Sequence, residues 1–154
     1  MEIGGATVAA YIRKAARGYV EALDRFDDTT VNQRPPGPDT NSGTVIVSHA
    51  WGAARYWIDH VGLGHATRRV RDDEFSAVST VADLKELVRT TADALAESVL
   101  SYDAEPTGTQ HEGRGRLARE NDEPDGSDGS IVVHALEELF QHLGHLDPTA
   151  DALT

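Results

Sequence analysis

The sequence predicts an all-α fold, an antiparallel four-helix bundle with long crossover loops, on three observations. Four stretches repeat apolar residues at spacings of three and four. Segments rich in Pro, Gly and Asp separate them. No stretch shows the strict alternation of a half-buried strand. A chain of 154 residues can build one real core but not two ordinary ones, so residues 1–154 read as a single domain.

The first helix is predicted from about Thr7 to Phe26, with Ile12, Ala16, Tyr19, Leu23 and Phe26 on its buried face. The run from Asn32 to Asn41, with Pro35, Pro36 and Pro38 around Gly37, must interrupt helix. A second helix is predicted over Ser42 to Gly62, with Ser42 as N-cap. Its face through Val45, His49, Gly52, Ala53 and Tyr56 sets a histidine among small neighbours, which leaves room for a ligand or permits close helix packing. A third helix begins at Thr80, where Thr80 and Asp83 resemble a capping box, and continues to about Tyr102. Its predicted inner face is Leu84, Leu87, Thr91, Leu95, Ser98 and Tyr102. The fourth runs from Ser130 to His145, and Asp147-Pro148 is expected to close it. Residues 103–129, rich in Gly, Asp and Glu, read as a long connection, a mobile lid or partly disordered segment.

Composition narrows the chemistry. There is no cysteine, which excludes disulfides, a thiolate nucleophile and cysteine-ligated zinc. The net charge of −12 opposes nucleic-acid binding and attachment to anionic membranes. No apolar run approaches a membrane span. Met1 to Ala10 carries no basic region leading into an apolar stretch, so a cytoplasmic location is expected. Lys14 and Lys85 are the only lysines, a balance that fits either a high-GC genome or a salt-adapted cytoplasm.

The residues that carry chemistry lie near the C-terminus. On a helix, His134, Glu138, His142 and His145 fall within an arc of roughly 80°. That arc belongs to a face that otherwise buries apolar side chains. Three imidazoles and a carboxylate there are costly to desolvate unless something binds them, and a divalent metal is the obvious candidate. Spacing allows Glu138 with His142, or His142 with His145, as neighbouring ligands. A catalytic site with three protein ligands then needs one from another helix, and His49 is the best placed. His60 sits near a helix end, and His65 and His111 in loops. A histidine on an apolar face can also be a packed residue with its nitrogens satisfied.

Three segments carry a family resemblance. Ser48-His49-Ala50-Trp51 through Tyr56-Trp57, Arg69-Val70-Arg71-Asp72-Asp73-Glu74-Phe75, and His134 through Gly144-His145 are similar to motifs of the DinB-like (DinB/YfiT) superfamily. The resemblance is to its branch of mycothiol-dependent transferases and maleylpyruvate isomerase-like proteins. It implies a bundle of DinB-like type and a divalent ion, commonly zinc or nickel, held by His49, Glu138 and His142. His145 becomes a substrate-facing or supporting residue, and His134 an alternative ligand. Gln141 replaces a frequent Arg of the family, and Leu146-Asp147-Pro148 replaces its usual Arg-Glu continuation.

The implied activity is transfer of a low-molecular-weight thiol, mycothiol in an actinobacterial host, to an electrophile, or thiol-dependent isomerisation. An open metal position lowers the pKa of an incoming thiol, so no protein cysteine is required. Arg69 and Arg71 are candidates to pair with carboxylates of the thiol or acceptor. The bland reading of both is a surface charge pair beside Asp72, Asp73 and Glu74. Trp51 and Trp57 read as pocket wall, core or dimer interface. A metal-dependent hydrolase using bound water is one rival reading, and a non-catalytic metal-binding bundle another. A small-molecule substrate and a homodimer are expected.

Overall fold

The computed structural model describes residues 3–104 and 128–153, and their regular structure is all helical. Four long helices form the frame: α1 (Gly5–Leu23), α2 (Gly43–Arg55), α4 (Val81–Ala104) and α5 (Asp128–Leu153). The short α3 (Arg71–Glu74) stands between α2 and α4. The connection predicted over 103–129, with His111, lies outside the described residues except at its two ends.

Each long helix starts within two residues of where its pattern predicts. In α1, Ile12, Ala16, Tyr19 and Leu23 are buried, and Phe26 packs just beyond its end. Ser42 caps α2: its side-chain oxygen accepts the Val45 N–H at 3.3 Å. At the start of α4, Thr80 Oγ1 accepts the Asp83 N–H at 3.1 Å, and Asp28 Oδ1 accepts the Val81 N–H at 2.8 Å. Such bonds satisfy donors that a helix N-terminus otherwise leaves orphaned.

α1 packs most extensively on α4 and also on α5, while α2 packs on α5 and on α4. The apolar core between them includes Ile12, Tyr19, Trp51, Leu84, Leu95 and Leu139. Tyr19 reaches across it: its hydroxyl donates to the Leu139 carbonyl at 2.8 Å, and its ring meets Trp51 edge-on. Burial, with a smaller contribution from the Glu138 charge, pushes the Tyr19 hydroxyl pKa well above its usual value.

Three local expectations need correction. The inner face of α4 runs through Leu84, Val88, Ala92, Leu95, Ala96 and Val99, and Leu87 is exposed. The stripe is rotated because α4 covers both α1 and α2, and two alanines widen it. The second predicted helix is not α-helical throughout, for Tyr56–Gly62 adopts a π-helical turn. The last helix does not stop at Pro148 but continues to Leu153. Proline inside a helix costs about 3 kcal/mol. Here Leu146 and Ala150 are fully buried and Leu153 packs on the core, which outweighs that cost. Gly144 and Pro148 are both exposed, so water can take the carbonyl bond that proline cannot make. Arg25 adds ion pairs to Asp147 and Asp151 on the same turns.

Candidate metal centre

The buried faces of α2 and α5 bring His49, Glu138 and His142 together. One ligand atom from each lies within 4.8 Å of the others. Glu138 Oε2 is 3.2 Å from His142 Nε2 and 3.9 Å from His49 Nε2. The two imidazoles meet nearly at right angles, with ring centres 5.0 Å apart. Yet Glu138 Oε2, though His142 Nε2 stands 3.2 Å away, is buried without a well-aligned hydrogen bond, and His142 Nδ1 is buried without any partner. A buried carboxylate oxygen without a hydrogen bond is costly. Cation binding would remove that cost, and two nitrogens with one oxygen suit a borderline divalent ion such as zinc. The residues fit such an ion.

His142, seconded by His134 and His49, holds the Glu138 carboxyl below the usual carboxylate range, although burial opposes this. Glu138 is therefore anionic at neutral pH and acceptor-only.

His49 is held from behind. Its Nδ1–H donates to Glu74 Oε2 at 2.9 Å, which leaves Nε2 facing Glu138. Glu74 is in turn gripped by Arg69, whose Nε and Nη2 lie 2.6 and 2.9 Å from its two oxygens. The small residue expected to leave room beside His49 does so for this carboxylate: a Cβ on Gly52 would lie 2.6 Å from Glu74 Oε1. Nothing in the sequence reading assigned Glu74 to His49. The only signal for it in the sequence is its place in the Arg69-to-Phe75 motif, beside the two arginines.

The other candidates separate into distinct roles. His134 is buried against the edge of Trp57, with its Nε2 3.7 Å from Glu138 Oε1, on the opposite carboxylate oxygen from His142. His145 is exposed, its ring 5.4 Å from that of His142. It lines a cavity of about 610 Å³ together with His49, His142, Arg71, Phe75 and Asp39. That volume is ordinary for a small-molecule site. Arg71 lies over the Phe75 ring at 5.4 Å. Arg69 instead borders a second cavity of about 480 Å³, lined also by Arg55, His60 and His65 and by none of the residues of the first. Trp51 and Trp57 are both buried core residues.

The family model for mycothiol-S-transferase matches residues 7–152, almost the whole chain. The chain belongs to the mycothiol S-transferase family. That family is a branch of the DinB-like superfamily and implies a thiol S-transferase type of enzyme with a small-molecule substrate. No curated protein and no solved structure matches the chain. Among the described residues, no helix of this mycothiol S-transferase family member is long and apolar enough to cross a membrane.

Proposed function

We propose that this member of the mycothiol S-transferase family transfers a low-molecular-weight thiol to an electrophilic carbon with the help of a divalent ion, zinc or nickel. His49, Glu138 and His142 would hold the ion. The observation that carries the reading is the buried Glu138 Oε2, left without a well-aligned hydrogen bond between two imidazoles at the edge of an open cavity. The helix pairings support an antiparallel four-helix bundle of DinB-like type as the frame.

A divalent ion at this site supplies Lewis acidity, which brings the pKa of a coordinating thiol down toward neutrality. The chain's own residues then do the rest. The cavity beside the ligands receives thiol and acceptor together, which supplies proximity. Arg71, exposed at its wall and bound to no carboxylate among the described residues, pairs with an anionic group of either. His145, one turn beyond His142, accepts the thiol proton on its ring nitrogen. Sulfur forms the new C–S bond, and the leaving group departs with the electrons of the bond that breaks. Arg69 is committed to Glu74 and takes no part in substrate binding.

Elemental analysis tests the reading directly. Purified protein carries close to one equivalent of divalent ion, and His142→Ala loses it. Conjugation of a model aryl halide requires both the ion and an added small thiol. Activity that survives complete chelation, or protein that stays metal-free in excess zinc and nickel, overturns the proposal.

A further inference from the structure

The surroundings of His49 contain three choices that the fold itself does not need. Glu74 and Arg69 are largely buried, with side chains 11% and 16% exposed. Burying an ion pair brings little net stability, because desolvation consumes much of the attraction. Gly52 lies within α2, where glycine is less favourable than alanine. Its missing side chain leaves the space that Glu74 Oε1 occupies, and Arg69 Nε would stand 3.3 Å from a Cβ there. The short α3 ends at Glu74, and the next residue, Phe75, rests its ring 5.6 Å from that of His49. Carboxylate and phenyl ring thus fix the imidazole from two sides.

We propose that Glu74, gripped by Arg69 and seated over Gly52, is a positioning residue that locks His49 with its proton on Nδ1 and its Nε2 lone pair turned toward Glu138 and His142. The inference rests on the metal reading above and adds to it a supporting layer of three residues. An imidazole whose Nδ1–H is bound to a carboxylate is fixed in tautomer and orientation and is a more basic ligand at Nε2. Removing such a partner weakens metal binding by about 10- to 100-fold. Arg69 borders a cavity that shares no lining residue with the one beside His49 and His142, and its Nε and Nη2 are both spent on Glu74, so the arginine acts through Glu74 and not on substrate.

The test uses the full-length, metal-stripped protein and zinc alone, titrated against a chromophoric chelator. Glu74→Ala lowers zinc affinity about 10- to 100-fold, and Glu74→Gln, which keeps an acceptor for Nδ1–H, recovers part of the loss. Gly52→Ala, which leaves every polar group in place but displaces Glu74, gives a loss of the same kind. Nitrogen-15 spectra of the metal-free protein at a pH where His49 is neutral give a second readout. The wild type holds the Nδ1–H tautomer, and Glu74→Ala shows a mixture. Wild-type zinc affinity in both Glu74→Ala and Gly52→Ala overturns the inference while leaving the metal site standing. Failure of the wild type itself to bind zinc overturns the metal reading, and the tautomer measurement then still judges the role of Glu74.

Discussion

Just beyond α1, Asp27 Oδ1 accepts the N–H groups of Thr29 and Thr30 at 2.9 and 2.7 Å. These bonds start the short 3-10 turn Thr30–Asn32, whose Val31 is fully buried. Bonds from the Thr30 and Thr29 amides and the Thr30 hydroxyl hold the Asp27 carboxyl below its usual pKa. A depressed folded-state pKa gives stability that is complete above the unfolded value, about pH 4, and lost as pH falls through the folded value. The difference in unfolding free energy between wild type and Asp27→Ala is therefore full near neutral pH and shrinks below about pH 4. Urea titrations across that range check it, and a difference unchanged by acid refutes it. The candidate ligands show the same residue-level division between legible and hidden. The polar stripe His134–His145 and His49 are legible because polar groups on a predicted apolar face are anomalous, and the family resemblance singles out His49, Glu138 and His142 among them. Glu74 is not legible, because a carboxylate in a charged loop looks like any other until the fold carries it under α2.

The π turn at the end of α2, Tyr56–Gly62, forms against a neighbouring helix. Tyr102, near the end of α4, donates its hydroxyl to the Ile58 carbonyl at 2.7 Å. Its ring passes so close to Gly62 that a Cβ there would lie 1.4 Å from the hydroxyl oxygen. Tyr102→Phe is expected to destabilise the protein by about 1 kcal/mol through the lost bond. Gly62→Ala should cost about 1–3 kcal/mol, because backbone or ring must move. Denaturant midpoints at unchanged slope measure both, and a neutral Gly62→Ala would show that this contact yields freely. The sequence reading extended α2 to Gly62 as ordinary helix, since apolar spacing cannot distinguish a π turn from an α turn. The sequence also ends the last helix near His145, closed by Asp147-Pro148, since a local rule about proline carries no information on what Leu146, Ala150 and Leu153 bury.

For the whole molecule, the proposed ion ties α2 to α5, two helices far apart in sequence. Binding only the folded state, it stabilises by mass action, about 2.7 kcal/mol when zinc stands at 100 times its dissociation constant. In a chain of this size that raises the thermal midpoint by roughly 5–10 °C. Calorimetry with and without zinc measures the rise, which should be absent in His142→Ala. An equal rise in that variant would place the stabilising ion elsewhere.

The sequence by itself determined the helical class, the extent of three helices to within a few residues, and the residues that make a metal centre chemically plausible. Periodicity, capping residues and an anomalous polar stripe are local properties, and each is written within a few turns of chain. Only the tertiary structure decided that Glu74 bonds to His49 and Arg69 to Glu74, that Arg71 rather than Arg69 lines the cavity beside His49 and His142, and that α5 runs through its proline. These outcomes depend on which surfaces become buried against which. That balance of desolvation and packing is set by contacts distant in sequence, and no local pattern encodes it.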